Sequence, residues 1–288
     1  MRLFIRFLIF LFSLFCICSA QADHWNGLEY AYNSSVQMSH AEWVLNSLPL
    51  AGNENILDVG CGNGKLTARL AQKVPDGIVI GIDPSDSMLA GVLQMQASTR
   101  NLTFLKASAE SFSLPYQFDH VIAIHVMHWI QEQEKALANI FAHLKPNGKV
   151  HIILAPSKEG LPFYTALKNT MHEWKDDFTG FVNPQQTFDL ETYRTLMVRA
   201  GFHIDSIHYV YHKSMHENRD ALQQWIKQWL PHRKHLPPEK QNAFLDSLMQ
   251  YYLAAMNIDP QQNSPIPWGE YVLIVHGTKP APTGKIPG

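Results

Sequence analysis

The stretch Ile56-Leu57-Asp58-Val59-Gly60-Cys61-Gly62-Asn63-Gly64 is followed, one helix length later, by Gly81-Ile82-Asp83. Ile56 to Val59 is a short apolar run typical of a buried strand. The three glycines after it carry no Cβ, so the chain can turn sharply there and approach a ligand closely. The helical pattern from Lys65 favours an anionic or hydrogen-bond-accepting group at the free N–H groups of the helix start. Asp83 ends a second buried strand, where a carboxylate can accept both hydroxyls of a ribose.

The chain around this stretch alternates strand and helix patterns. We predict strands at 55–59, 78–82, 102–105, 119–124 and 149–154, and helices at 64–73, 85–98 and 132–144. Such alternation is typical of a parallel sheet with right-handed crossovers. Before it, we predict a helix at 39–48 capped by Ser39. After it, we predict a helix at 190–200, strands at 202–211 and 269–275, and a mostly helical block between those strands.

Two phosphate-binding motifs are excluded by position. The dinucleotide fingerprint G-x-G-x-x-G needs glycine where the chain has Lys65, and the phosphate loop needs glycine and a hydroxyl where it has Val59 and Leu66. The pattern Asp58-x-Gly60-x-Gly62-x-Gly64 instead resembles motif I of class I S-adenosylmethionine-dependent methyltransferases. The alternative is a glycine-rich turn that binds no ligand.

This resemblance implies a cofactor site and a fold. S-adenosylmethionine would be the cofactor, its methionine part cradled by the loop from Asp58 to Gly64 and its ribose held by Asp83. The implied fold is α/β: a seven-stranded, mostly parallel Rossmann-like sheet with helices on both faces, a helical insertion before the last strand, and an antiparallel last strand. Specific motifs cover roughly residues 25–155, and beyond them only the order of the elements agrees.

Residues 106–110 follow the third predicted strand, where the family reads the adenine ring. Many members carry an acid where this chain has Ser108. We therefore expect adenine contacts from the backbone of Ala109 and from the side chain of Ser108 or Glu110. Met88, in the helix after Asp83, is expected either on the adenine face or in ordinary helix packing.

His125, His128 and Trp129 follow the fourth predicted strand. Side chains at the carboxyl ends of parallel strands face the ligand crevice, so these three are candidates for the catalytic pocket, and His125 also for the cofactor site. The His-Trp pair resembles the trans-aconitate methyltransferase branch, as does the stretch from Trp25 to Gln37. By that resemblance Tyr30 and Gln37 would touch the cofactor; the alternative is a helix packed on the sheet edge.

The resemblance implies an enzyme that methylates a small molecule, with a carboxylate such as trans-aconitate as one candidate acceptor. A protein or lipid-like acceptor is the alternative, and a cofactor-binding module without turnover is a third. No catalytic residue is assigned. A carboxylate needs no base, whereas a hydroxyl or amine can use His125 or His128. Trp225 and Trp229 either roof the acceptor pocket or form a core stripe.

Composition narrows the partners. The chain has 288 residues, of which 46% are hydrophobic and 17% charged, and a formal net charge of −2, which argues against a nucleic-acid partner. No metal site is predicted, because no cysteine or acidic cluster joins His203, His208, His212 and His216. Cys61 is expected to fill the tight loop. The oligomeric state is not indicated.

The N-terminus predicts export. Arg2 and Arg6 precede an apolar run, and Ala20-Gln21-Ala22 has the small-residue pattern of a signal-peptidase site. We expect residues 1–22 to be a signal peptide that directs the chain to the periplasm or outside the cell, or alternatively a membrane anchor or a buried helix. The methyltransferase domain would span 23–277, with a cofactor-binding core at 50–155 and a helical insertion at 217–258, before a disordered tail at 278–288.

Overall fold

The computed structural model describes residues 25–157, 160–261 and 264–282. One sheet organises them, built from β1 (Asn55–Val59), β2 (Ile78–Asp83), β3 (Leu102–Lys106), β4 (Phe118–Ile124), β5 (Leu144–Leu154), β6 (His203–His216) and β7 (Ile266–Thr278). The strand order is β3-β2-β1-β4-β5-β7-β6. Strands β1 to β5 pair in parallel, and β7 pairs antiparallel to both β5 and β6. The predicted seven-stranded, mostly parallel sheet with an antiparallel last strand is confirmed.

Eleven helices accompany the sheet in the described part of the chain: α1 (Gly27–Asn33), α2 (Ser35–Ser47), α3 (Lys65–Lys73), α4 (Asp86–Leu89), α5 (Leu93–Ser98), α6 (Gln133–His143), α7 (Pro162–Glu173), α8 (Leu190–Arg199), α9 (Arg219–Trp229), α10 (Pro231–His235) and α11 (Pro238–Ala255). Alternate residues of β1 point to opposite faces, as strand geometry requires. Leu57 packs with residues of α6 and α8, and Ile56 with residues of α2 and α3. Helices therefore cover both faces of the sheet.

A third apolar cluster lies at the carboxyl end of the sheet. It joins α7 and the insertion helices α9 and α11 to Trp268 of β7 and Val36 of α2. Inside the insertion, Pro231 and Pro238 each stand in the first turn of a helix, where a missing N–H costs nothing. This cluster forms a wall beside the ends of the parallel strands.

Several predicted boundaries are wrong. The helix expected at 85–98 is two helices, α4 and α5, with Gly91 between them, where glycine disfavours the helical state. Ser39 does not cap α2 but lies inside it, where its hydroxyl donates to the Val36 carbonyl. Strand β5 begins at Leu144 rather than 149, because Leu144 pairs with Phe118 before the left-handed residue Asn147.

Helix α7 was not predicted from the sequence, since its opening Leu161-Pro162 looks like a turn. The disordered tail predicted at 278–288 stays a prediction, although its first residues are ordered by the sheet. Thr278 is the last residue of β7, and the Lys279 N–H donates to the Gly148 carbonyl. Residues 1–22, the predicted leader, and 283–288 lie outside the described residues. Within the described ranges no helix has the length and apolarity needed to span a membrane.

Candidate active site

The glycine loop lies between β1 and α3, at the carboxyl end of β1. The strand order reverses between β1 and β4, and ligands bind at such a point in open α/β sheets. Gly60, Gly62 and Gly64 have φ of 69°, 54° and 74°. The N–H groups of Gly60 and Cys61 donate to the Ile82 carbonyl at 2.8 and 3.0 Å. Those two bonds anchor the loop to the end of β2 and so place it beside Asp83.

Close packing requires glycine at positions 60 and 64 but not at position 62. A Cβ on Gly60 would lie 2.4 Å from Val126 Cγ2, and one on Gly64 would lie 2.6 Å from Phe104 Cζ. A Cβ on Gly62 would meet its nearest atoms, Met88 Cε and Tyr30 Cε1, at 3.3 and 3.7 Å. Gly62 therefore lies on the less crowded side of the loop, facing two predicted cofactor residues.

Asp83 is held at the end of β2 by two backbone donors. Its Oδ2 accepts the Gly62 N–H at 3.0 Å and its Oδ1 accepts the Ser85 N–H at 2.9 Å. Burial raises the pKa of Asp83, although both hydrogen bonds act in the opposite direction. Each carboxylate oxygen has two lone pairs, so the group keeps acceptor capacity for the hydroxyls of a ligand.

Asp58 is a second buried carboxylate beneath the loop. It is 2% exposed and accepts the Thr67 hydroxyl at 2.6 Å. Burial and, to a smaller extent, neighbouring Asp83 raise the pKa of Asp58 to about 7, although the Thr67 hydrogen bond acts in the opposite direction. No cation is among the causes of this shift, so a positively charged ligand bound nearby would favour the ionised form of Asp58.

Tyr30 and Gln37, the two residues of the N-terminal stretch that were predicted to touch the cofactor, lie on α1 and α2. Burial raises the pKa of the Tyr30 hydroxyl, and both Asp83 and Asp58 contribute, which shows that this ring lies close to the two carboxylates. Gln37 instead accepts a hydrogen bond from the Trp225 indole at 3.2 Å. The structure thus brings Tyr30 to the loop and Gln37 to the neighbouring cavity.

The predicted adenine segment lies next to Asp83, because the Ala107 N–H donates to the Asp83 carbonyl at 3.2 Å. The Ser108 hydroxyl contacts the Ser111 hydroxyl at 2.9 Å, and the Ala109 carbonyl accepts from the Asn139 amide at 3.0 Å. Glu110 is half-buried. Met88 is buried with its methyl group towards Gly62, so it packs on the loop.

His125 and His128 follow β4 and are both neutral groups. His125 has a φ of 56°, its N–H donates to the Ile153 carbonyl at 2.7 Å, and its Nε2 lies 2.7 Å from His40 Nδ1. His128 Nδ1 accepts the Ala155 N–H at 3.3 Å, so its ring carries a proton on Nε2. Burial lowers the pKa of His125 and lowers that of His128 to about 3. Trp129 packs edge-on against Trp25, with ring centroids 5.3 Å apart.

A cavity of about 140 Å³ unites these residues. Its lining includes the three predicted pocket residues and the two N-terminal residues predicted to touch the cofactor, namely His125, His128, Trp129, Tyr30 and Gln37. Aromatic side chains from the insertion and from β7 complete this part of the lining, namely Trp225, Trp229 and Trp268. The indole N–H groups of Trp229 and Trp268 are buried and have no hydrogen-bond partner among the described residues. An indole N–H only donates, so the cavity suits a ligand that accepts.

Trp268, Glu270 and Trp25 line this cavity but were not identified from the sequence. The predicted last strand began at 269, which left Trp268 outside it. A usable signal did exist, because Trp268 and Glu270 are two residues apart and so lie on the same face of β7. The sequence does not show which face meets the insertion.

The chain is similar to known methyltransferases. Residues 56–148 match the family described as "Methyltransferase domain". The putative methyltransferase 235L of Invertebrate iridescent virus 6 is 25% identical over 237 residues, covering 80% of this chain and 86% of the relative. The trans-aconitate 2-methyltransferase of Deinococcus radiodurans is 28% identical over 157 residues, covering 54% and 59%. That of Variovorax paradoxus is 25% identical over 228 residues, covering 77% and 86%.

Solved structures confirm the fold. A putative methyltransferase from Bacillus halodurans superimposes with a TM-score of 0.59 at 14% identity, covering 84% of this chain and all of that one. A phosphoethanolamine N-methyltransferase from Haemonchus contortus in complex with S-adenosyl-L-methionine gives 0.54 at 20% identity, covering 84% of this chain and 52% of that one. The resemblance to class I methyltransferases and to the trans-aconitate branch is confirmed. The match over residues 56–148, together with these relatives, supports S-adenosylmethionine-dependent methyltransferase activity.

Proposed function

We propose that this chain transfers a methyl group from S-adenosylmethionine to a carboxylate oxygen of a small organic acid. The cavity carries the proposal, because two of the tryptophans that line it have buried indole N–H groups without a hydrogen-bond partner among the described residues. The trans-aconitate 2-methyltransferases among the relatives support the same class of acceptor.

The residues divide between two tasks. S-adenosylmethionine supplies a methyl group on a positively charged sulfur, and that charge is lost on transfer. Asp83 and Asp58 would hold the cofactor, through its ribose hydroxyls and its positive charge respectively. Tyr30 lies beside Gly62 of the loop and is influenced electrostatically by both carboxylates. These residues orient the reacting groups in line and keep water out, which is the main contribution an enzyme makes to such a displacement.

The histidines favour an acceptor that is already anionic. A general base works best when its pKa is near the operating pH, and burial lowers the pKa of His128 to about 3. His125 is also shifted downwards, and its Nε2 is occupied by His40. A hydroxyl or amine acceptor would need a stronger base than either, whereas a carboxylate is ionised at neutral pH and needs none.

The two indoles would hold the acceptor. Trp229 lies on α9 and Trp268 on β7, so two different elements contribute unpartnered donors to the residues that line the cavity. A hydrogen bond to a charged group is worth about 1.5–3 kcal/mol when the partner is otherwise buried and unpaired. A carboxylate that accepts from both would therefore be bound and oriented with one oxygen free to react.

A protein-linked carboxylate is the second candidate acceptor. The malonyl-[acyl-carrier protein] O-methyltransferase of Bacillus cereus is 29% identical over 129 residues, covering 43% of this chain and 48% of that relative. An acid attached to a carrier would enter the same cavity on its tether. The test therefore compares free and carrier-linked acids.

The test is methyl transfer from labelled S-adenosylmethionine to a panel of free di- and tricarboxylic acids, trans-aconitate included, and to their carrier-linked forms. We expect a base-labile methyl ester of a free acid, identified by mass spectrometry. Trp229→Phe keeps an aromatic ring at this position, although a smaller one, and removes the indole N–H donor. The KM for the acid should therefore rise about tenfold or more. Trp174→Phe is the matched control, because the Trp174 indole donates to Ser247 and does not line the cavity.

Esters on carrier-linked acids alone would favour the second candidate. Cofactor binding without transfer to any acceptor would contradict the proposed activity, and an equal rise of KM in Trp174→Phe would contradict the assigned role of the indole.

We also propose that the leader at 1–22 exports the chain. Its sequence pattern supports this, whereas the cytosolic synthesis of S-adenosylmethionine favours the alternative of an anchor that keeps the domain facing the cytosol. N-terminal sequencing of protein from membrane, periplasmic and culture fractions tests the two. Export predicts a chain beginning at Asp23 outside the cytosol, and an intact leader in the membrane fraction alone would overturn it.

A further inference from the structure

Three metal-ligating side chains from different elements meet beside the acceptor cavity. They are His40 on α2, His212 on β6 and Glu270 on β7, and one donor atom from each lies within 4.8 Å of the other two. The antiparallel register of β6 and β7 places His212 directly opposite Glu270. The ring of His40 lies edge-on to that of His212, with centroids 4.4 Å apart. Glu270 also lines the cavity.

Each of the three side chains has a buried atom without a hydrogen-bond partner among the described residues. These atoms are His40 Nε2, His212 Nδ1 and Glu270 Oε1. His40 is fully buried, and the separation of His212 Nδ1 from Glu270 Oε1 is 3.8 Å, which is too long for a hydrogen bond. Buried polar atoms are rarely left unpaired, so three together indicate a missing partner.

The neighbouring hydrogen bonds indicate that lone pairs face the common centre. The Ser39 hydroxyl donates to the Val36 carbonyl, so its oxygen can accept a hydrogen bond. It lies 3.4 Å from His212 Nε2, which then carries the proton and donates to it. His212 Nδ1 is then a bare acceptor facing a carboxylate oxygen. His40 Nδ1 lies 2.7 Å from His125 Nε2, and a proton on His40 Nδ1 leaves its Nε2 bare as well. Metal-binding histidines usually have their second nitrogen held in this way.

We propose that His40, His212 and Glu270 bind a divalent transition-metal ion such as Zn²⁺. Two imidazoles and one carboxylate are a known three-residue ligand set for catalytic zinc, which leaves a fourth position open. Ligand atoms around a tetrahedral zinc lie about 3.4 Å apart, so only a small inward movement of the side chains is required. Because Glu270 borders the cavity, the open position can take an acceptor's carboxylate oxygen; only this last role rests on the proposed function.

A second histidine group lacks these features. His120, His151 and His276 form a chain in which ring nitrogens contact one another at 3.0 and 2.8 Å. Both nitrogens of His151 are used in these contacts, and no grouping of these histidines with a carboxylate that could hold a metal is found among the described residues. The proposal is therefore confined to His40, His212 and Glu270.

The test is titration of the untagged full chain with Co²⁺ and Zn²⁺, followed by calorimetry and, for Co²⁺, by visible absorption. We expect one equivalent of either ion to bind, with cobalt d–d bands and no thiolate band. His212→Ala and Glu270→Gln should weaken the affinity by at least about tenfold, and Ser39→Ala by about 10- to 100-fold through loss of the outer hydrogen bond. His208→Ala is the matched control, since His208 lies exposed on the same strand.

Failure to bind one equivalent would overturn the site. So would a thiolate band, or the same loss of affinity in His208→Ala as in His212→Ala. Circular dichroism of each variant confirms folding, and His40 is left unchanged because its complete burial makes a substitution there disruptive. Since metal binding is measured without methyl transfer, the proposed activity and the proposed site can fail independently.

Discussion

Substituting alanine for Gly64 tests whether the glycine loop has the geometry described. Gly64 has a φ of 74°, and an added Cβ would lie 2.6 and 2.8 Å from Phe104 Cζ and Cε1. The left-handed backbone costs about 1–2 kcal/mol for a non-glycine residue. Overlap with a packed ring adds about 1–3 kcal/mol. We therefore expect Gly64→Ala to lower the free energy of unfolding by about 2–5 kcal/mol.

Gly62→Ala is the matched comparison, because its φ of 54° carries the backbone cost while its nearest neighbour lies at 3.3 Å. It should lose only about 1–2 kcal/mol. Urea unfolding without cofactor measures both variants. Phe104→Leu in the Gly64→Ala background should relieve the steric overlap and restore that part of the lost stability, while the backbone cost remains. A double-mutant cycle separates the two contributions. Equal losses in the two alanine variants, or no coupling between positions 64 and 104, would refute the reasoning.

Further predictions concern buried polar groups. Burial raises the pKa of Asp58 from 3.8 to about 7, so the unfolded chain releases this proton first as pH rises. Stability should fall between about pH 4 and 7 by up to about 1.4 kcal/mol per pH unit and level off above, and urea unfolding of Asp58→Asn should lack this contribution. An unchanged pH dependence in that variant would contradict the shift. The Tyr193 hydroxyl is buried and has no partner among the described residues, whereas that of Tyr252 donates to the Pro267 carbonyl at 2.7 Å. Tyr193→Phe should be neutral or stabilise the fold by up to about 1 kcal/mol, while Tyr252→Phe should destabilise it by about 1 kcal/mol; thermal unfolding giving the reverse order would contradict this assignment.

The cofactor edge of the sheet could be predicted because its signal is local. The buried strand, the glycine loop and the helix at 55–73 are contiguous, and Asp83 ends the next apolar run. The bounds of β1 and the position of Asp83 at the end of β2 agree with the sequence. Here each residue's environment follows from its own neighbours in the chain.

The cavity wall could not be predicted, because it depends on contacts between distant segments. Strands β6 and β7 were expected at 202–211 and 269–275, but they pair from His203 to His216 and from Ile266 to Thr278. Their extra length packs against the insertion, so both faces are partly covered and the period-2 pattern weakens. Trp268 lies in that extension, two residues before Glu270 on β7.

The histidines show the same limit. Spacing along β6 alone offered His212 no ligand partners, and no metal was expected. Its neighbours in the structure, His40 and Glu270, come from α2 and β7. A sequence pattern reports periodicity within an element, and it contains no information on which distant elements converge.

The most direct test of the cofactor site is calorimetric titration of S-adenosylmethionine into the full chain and into Asp83→Asn. Asp119→Asn is the control. Asp119 forms an ion pair with Lys145 near the start of β4, at the amino ends of the parallel strands and so away from the cofactor loop. We predict one cofactor per chain, an affinity at least about tenfold weaker in Asp83→Asn, and no change in Asp119→Asn. Absence of binding to the unmodified chain, or undiminished binding to Asp83→Asn, would contradict the account.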